Sequence, residues 1–366
     1  MQTTASLRAD HFDGLLRRLP TGLDLDRIAR QTKAIERERK LGSGTDLLRL
    51  ALARGPGGLS LSQTAAWASL LGFAEMSDPA VKKRLDKAVG FLDAVMARQL
   101  AEKAPGAAIR WAGRILRNAD GSCFRERGSK TTSWRLHAVY DLGRGGFSHL
   151  ELTDKHGAEA IERGPPIPGE IRIGDRNFAR APSLHQFRQE SANQADFIVR
   201  VGWNAFSLTR SDGADFDLIT HLGTLPPDMA PHEVMLRARV GVLDPPLPLR
   251  LIVRRKTPEA TEAARNKLRC KASRKQKLLD PRSLVAAEFI ILATSLPVEG
   301  YPAEQVLAVY RLRWQIELAF KRLKSLLQMD RIPTRTEPAS RSWLLAHLIM
   351  ALLCDGLSQE FLDSSP

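Results

Sequence analysis

Along the first third of the chain, apolar residues recur at helical spacing, broken by caps and glycines. Thr45 to Arg54 is one such pattern, closed by Gly55-Pro56-Gly57-Gly58. Ser60 or Ser62 caps a second helix through Leu70, which Gly72 breaks. Asp78 is a suitable N-cap with Pro79 at the first helical position, and Val81, Leu85, Ala88, Leu92 and Val95 continue a third helix. Residues 101–109, with Pro105-Gly106, read as a linker. From Arg114 the period shortens to that of strands. Arg114 to Asp120 reads as a strand closing where Gly121 opens a turn, and Trp134 to Asp141 pairs with Phe147 to Thr153 across the glycine-rich turn Leu142 to Gly146. A helical piece around Gly157 to Arg163 precedes a fourth strand, in which Ile171 and Ile173 alternate before Asp175. Phe197 to Val201 extends the sheet. Short strand candidates follow at Asp217 to Leu222, Val234 to Val242 and Leu249 to Arg254, and Glu288 to Thr294 returns to the core.

The last amphipathic pattern carries the candidate chemistry. On a helix turning about 100° per residue, Tyr310, Arg313, Glu317 and Lys324 fall within an arc of roughly 60°. The apolar stripe Val309, Leu312, Ile316, Phe320, Leu323 and Leu327 lies about 90° away. Tyr310 and Trp314 are costly to leave on a solvent face, and the charges are cations around one acid rather than alternating pairs. A carboxylate set among phosphate-binding groups suits a DNA-cutting site.

The spacing Tyr310-x2-Arg313-x3-Glu317-x6-Lys324 resembles the signature of the insertion-sequence-four branch of the bacterial DD(E) transposases. Asp120-Gly121-Ser122 and Asp175-Arg176-Asn177-Phe178 are similar to that family's two upstream acid motifs, and the resemblance covers roughly residues 59 to 355. It implies an α/β fold: a ribonuclease H-like catalytic core over residues 110–203 and 286–357, a β-rich basic insertion over 204–285, and a helical N-terminal DNA-binding domain over 1–104. It also implies that Asp120, Asp175 and Glu317 are catalytic and hold two Mg2+ ions, with Mn2+ able to substitute. Tyr310, Arg313, Lys324, Arg176 and Trp314 would then contact phosphates or an extruded base. The expected activity is cutting at insertion-sequence ends and joining of the 3′ ends to target DNA, with a hairpin intermediate left open. The partners implied are element-end and target duplexes, with a homodimer in a synaptic complex.

In the third helix Lys82, Lys83, Arg84 and Lys87 form a basic first half, as on the recognition helix of a helix-turn-helix; a helical bundle with a basic rim fits the same pattern. Lys plus Arg number 55 against 41 for Asp plus Glu, a net charge of +14 that points to a polyanion. Arg254 to Arg282 alone holds eleven cations, read as DNA-backbone contact or as a solvated arm. Cys123, Cys270 and Cys354 are too few and too scattered for a disulfide framework or a zinc site, which points to a reducing compartment. The longest apolar run, Trp343 to Leu353, is too short to span a bilayer, and no secretory signal opens the chain. The expected location is the bacterial cytoplasm, associated with the nucleoid. Two other readings share parts of this pattern: an inactive or domesticated DNA-binding regulator, and a junction-type nuclease of the same fold.

Overall fold

The computed structural model describes residues 12–37, 41–102, 110–129, 131–242, 244–326, 329 and 331–363. Among the described residues six helices come first: α1 (Phe12–Leu16), α2 (Leu25–Gln31), α3 (Gly44–Arg54), α4 (Leu61–Leu70), α5 (Asp78–Lys87) and α6 (Val89–Glu102). Ser43 caps α3, and Ser60 caps α4 in a full capping box with Gln63. Ser77 rather than Asp78 is the N-cap of α5, and the long third helix expected from the sequence is two, separated at Ala88.

The central sheet begins with β1 (Arg110–Trp111), β2 (Arg114–Glu126), β3 (Trp134–Asp141), β4 (Gly146–Asp154) and β5 (Glu170–Gly174). After α7 (Ala181–Glu190) come β6 (Asp196–Arg200), β7 (Leu208–Thr209), α8 (Leu218–Thr224), β8 (Pro231–Ala238) and β9 (Leu247–Arg255). Next are α9 (Pro258–Arg274), α10 (Pro281–Ala286), β10 (Phe289–Thr294), α11 (Ala303–Tyr310), α12 (Trp314–Leu326), β11 (Arg331–Ile332) and α13 (Glu337–Asp363). The strand order is β4-β3-β2-β5-β6-β10-β9-β8-β7, with β1 and β11 both on β2. β2, β3 and β4 are antiparallel neighbours, while β5 runs parallel to β2 and β6 parallel to β5. That order and sense are those of a ribonuclease H-like core. The insertion does not form a separate body: β7, β8 and β9 continue the same sheet through β10. Buried Arg250 on β9 clamps it, pairing with Glu233 and donating to the carbonyls of Pro297 at 3.0 Å and Tyr301 at 2.8 Å.

Two hydrophobic layers cover the sheet. One holds Leu116, Ile171 and Ile198 under α12, α13 and the N-terminal helices in a single continuous core. The other gathers Ala119, Phe197 and Val199 with α7 and the insertion strands. α3 approaches α13 so closely that a Cβ on Gly55 would stand 2.9 Å from the Cβ of Ala346.

Several local expectations are corrected. β2 does not close at Asp120; it runs on to Glu126, with Gly121 paired to His137. Gly157 to Arg163 forms turns, not a helix, because buried Arg172 takes the carbonyls of Ile161 at 2.8 Å and Gly164 at 2.7 Å. Asp217 to Leu222 is no strand: Asp217 caps α8. The cationic stretch after Arg254 is a firm helix, α9, capped by Thr257. The amphipathic pattern from Tyr310 to Lys324 is not one helix either, since Arg311–Arg313 tightens to a 3₁₀ turn between α11 and α12.

Candidate active site

Asp120 stands in mid-strand on β2, and Asp175 follows the last residue of β5. The parallel register pairs Asn118 with Ile173, so its continuation brings Asp175 alongside Asp120. Each carboxylate is held by a nearby backbone amide: Asp120 accepts from Gly121 at 2.7 Å, and Asp175 accepts from Asn177 at 2.7 Å as cap of a short 3₁₀ turn. Burial pushes the Asp120 carboxyl up to about 6; the Gly121 amide opposes this, the Asp175 charge adds to it, and Arg313 lowers it again. A half-buried carboxylate whose proton affinity is raised by a second carboxylate beside it is a cation-seeking site.

Asn118 lies two residues before Asp120, on the same face of the strand. Its side-chain amide donates 3.1 Å to the carbonyl of Leu312, which fastens the 3₁₀ turn against β2 beside the acids. That tie fixes the entry to α12 and so the position of Arg313 and Glu317. Glu317, exposed, accepts from Arg313 at 2.5 Å. Among the described residues no group of three metal-ligating side chains is arranged to hold an ion as it stands. The donor set is nevertheless hard carboxylate oxygen, which suits a divalent ion with open water positions. The mutual repulsion at Asp120 is what such an ion would relieve.

The expected site residues divide between two adjoining hollows. Asp120, Glu317 and Lys324 line a cleft of about 490 Å³ with Gly121, Ser122 and Lys321. The Lys324 ammonium lies 5.5 Å from the centre of the Phe124 ring. Asp175, Arg176, Tyr310 and Arg313 line a larger cavity of about 730 Å³. Arg313 joins the two, since it lines the second and acts on Asp120 and Glu317 of the first. Trp314 is 51% exposed and borders a groove with Tyr310 and Arg200. The Tyr310 hydroxyl and the Arg200 Nε are buried without a hydrogen-bond partner among the described residues.

The four cations of α5 are not equivalent. Lys82 pairs with Asp86 at 2.5 Å and lines a cavity against the start of α13, and Lys87 lies 3.7 Å from Glu36. Lys83 and Lys87 are exposed, and Arg84 is half-buried.

Sequence reasoning missed Arg200, Trp203, Lys256 and Glu159. The first three line the larger cavity. Arg200 could have been found as the cation ending the strand beside Asp175, whereas Lys256 stood unremarked within a long basic run. Glu159 sits over Gly121, its Oε1 2.7 Å from where a Cβ would be, and its charge acts on Asp120. No pattern in its own segment marks it.

The sheet order and the sequence together define a class, enzymes that act on DNA as transposases. Residues 118–353 match the transposase DDE domain family. The chain belongs to that family, among the bacterial insertion-sequence transposases. It is 36% identical over 360 residues to the transposase for insertion sequence element IS421 of Escherichia coli, covering 98% of this chain and 96% of the relative. A protein from Escherichia coli strain K12 named InsL, for element IS186A, is 36% identical over 359 residues with the same coverage. The transposase for element IS231E of Bacillus thuringiensis subsp. finitimus is 26% identical, over 90% of this chain and 76% of that one. Among solved structures, a chain of the piggyBac transposase synaptic complex with hairpin DNA matches 99% of this chain and 77% of that chain. Its identity is 11% and its TM-score 0.48, too slight a likeness to carry weight. No helix among the described residues is long and apolar enough to cross a membrane.

Proposed function

We propose that this transposase cuts DNA at the ends of its own insertion sequence and joins the freed 3′ ends to target DNA, using Asp120, Asp175 and Glu317 as its catalytic acids. The observation that carries the reading is the parallel β2–β5 register, whose continuation sets Asp120 beside Asp175, with Asp175 lining a cavity that also holds Arg176, Arg200 and Lys256. The acids would hold two Mg2+ ions, or Mn2+ in their place. When bound, such ions activate the attacking oxygen and stabilise the departing one. Glu317 joins the set by turning away from Arg313, a partly exposed pair that costs at most about 1 kcal/mol to break. Arg313, so released, grips a phosphate beside the cut together with Tyr310, Arg176 and Lys324. Trp314, exposed next to them, offers a face for a base. The N-terminal helices contribute end recognition through the exposed Lys83 and Lys87, and two copies pair the two element ends in a synaptic complex. The protein acts in the bacterial cytoplasm on nucleoid DNA.

The test is cleavage of linear DNA bearing the element end by the purified full chain with Mg2+. Asp120→Asn, Asp175→Asn and Glu317→Gln should each abolish cleavage while end binding stays nearly intact. Retention of more than a few per cent of wild-type cleavage by any one variant removes that residue from the catalytic set.

A further inference from the structure

The cavity beside Asp175 has one wall that the acids do not explain. The insertion helix α9 stands over it, presenting Ala264, Lys267, Leu268 and Lys271 at helical spacing. None of the α9 side chains is fully buried; Arg265, in mid-helix, donates to Glu288 and to the Leu284 carbonyl. The charges of the helix are sorted by direction. Arg265 pairs with Glu288, and Arg269 with Glu262 at 2.8 Å. Lys267 and Lys271, which face the cavity one turn apart, have no acidic partner among the described residues. Like charges at that spacing destabilise a helix by a few tenths of a kcal/mol. From the opposite wall come Arg176, Arg200 and Lys256. Burial, with the charges of Arg200 and Arg176 added, lowers the Lys256 ammonium to about 8. The same cavity contains two aromatic rings, Trp203 and Tyr310. The Trp203 ring is covered on one face by Arg282, 4.3 Å from its centre, and its Nε1 donates 3.1 Å to Ser283.

Cations that have no carboxylate partner among the described residues (Lys256 donates instead to the Ala287 carbonyl), set around aromatic faces, are the means by which proteins hold unpaired nucleic-acid strands. The volume agrees. At about 730 Å³ the cavity is within the ~300–1,000 Å³ range of sites that enclose a small molecule. We infer that this cavity holds an unpaired DNA strand running from the acid pair, with Lys267 and Lys271 of α9 on its phosphates. The inference rests on the DNA-cutting reading of the same site and adds which form of DNA the insertion grips.

The experiment compares binding of the full chain to two probes by fluorescence anisotropy. One is a blunt duplex; the other is the same duplex with an unpaired oligothymidine tail of about ten nucleotides. Wild-type protein should bind the tailed probe more tightly. Lys267→Ala with Lys271→Ala should remove most of that advantage and lower the salt slope on the tailed probe by about 1.4, two contacts at roughly 0.7 each. Affinity for the blunt duplex should change less than twofold. Arg269→Ala, on the far side of α9, should leave the tail advantage in place. Thermal melting of each variant should match wild type, because no α9 side chain is buried. An undiminished tail advantage in the double variant overturns the inference, and so does an equal loss on both probes, which would mark α9 as a duplex-backbone surface. Failure of wild-type protein to bind either probe would overturn the DNA-cutting reading itself.

Discussion

Arg313 donates to Glu317 at 2.5 Å, so the cation of the Tyr-Arg-Glu-Lys pattern occupies the acid expected to hold metal. The pair is partly exposed and therefore weak, worth about 0–1 kcal/mol. Arg313→Ala should free Glu317 and leave Mn2+ binding equal to wild type or up to about fivefold tighter, the ratio that 1 kcal/mol allows. Cleavage should nonetheless slow by roughly ten- to a hundredfold, because a charge-assisted phosphate contact of about 1.5–3 kcal/mol is lost. Extra metal should not restore the rate. Mn2+ titration followed by electron paramagnetic resonance, beside cleavage rates, reads both quantities; weaker Mn2+ binding in Arg313→Ala would place Arg313 in support of the metal rather than of the phosphate.

Asp120 gives a pH dependence whose sign is fixed. Its carboxyl is raised from 3.8 to about 6 in the fold. Between pH 4 and 6 the folded chain keeps a proton that the unfolded chain has released, so metal-free stability falls as pH rises through that window. Above pH 6 the deficit is constant, at about 2–3 kcal/mol for a shift of about two units. Asp120→Asn keeps the shape and the bond from Gly121 without the charge. In metal-free buffer at pH 7.5 the Asn variant should therefore be more stable than wild type by up to that amount, the two converging below pH 4. Divalent metal should raise the wild-type melting temperature and not the variant's, with the wild-type effect fading below pH 6 as protons compete. Denaturant melts across this range check each point; a variant less stable than wild type at pH 7.5 would mean that Asp120 carries a structural bond the strand depends on.

The parts of this fold readable in the sequence were those set by local period. Ile171 and Ile173 alternate on β5, which ends at Gly174 just before Asp175, and the strand order around it followed. What could not be read was set by distant partners. Asp120-Gly121 has the composition of a turn, yet β2 continues because β3 supplies a partner for Gly121. Nothing between Tyr310 and Trp314 is a helix breaker; the 3₁₀ turn there gives its Leu312 carbonyl to Asn118, 194 residues away. Gly157 to Arg163 lost its helix to Arg172. The cationic run after Arg254 was recognised as a charge excess, but the face that Lys267 and Lys271 take depends on where α9 docks.

The N-terminal helices bear on how end recognition can be tested. Leu48, Phe91 and Leu92 are buried in the same core as Leu344, Leu345 and Ile349 of α13. A fragment ending near residue 104 exposes that surface. It should melt broadly and at lower temperature than the full chain, because each large apolar side chain left uncovered costs roughly 1.5–3 kcal/mol. A sharp, independent melt of the fragment by circular dichroism would show a separable domain. The contribution of α5 to DNA binding is better measured in the full chain, with Lys83→Ala and Lys87→Ala. Both side chains are exposed, so their loss should weaken end binding without changing the melt.

Tyr310 separates stability from function at a single oxygen. Its hydroxyl is buried with no partner among the described residues, and burial raises its ionisation above the ordinary tyrosine value, so it is a neutral donor with nothing to donate to. An unsatisfied buried hydroxyl costs about 1–3 kcal/mol. Tyr310→Phe keeps the ring against its neighbours and removes that cost, so the DNA-free protein should gain about 1 kcal/mol. If the hydroxyl completes its bond only on a DNA phosphate, the same change should slow cleavage by about tenfold, since a bond to a charged group is worth roughly 1.5 kcal/mol or more. Tyr310→Ala, which also removes the ring, should lose both stability and cleavage. A Phe variant that is more stable and cleaves normally would confine Tyr310 to packing or stacking. One that is less stable would mean that the hydroxyl is satisfied in the free protein by solvent, and the phosphate contact would then have to be carried by Arg313 and Lys324 alone.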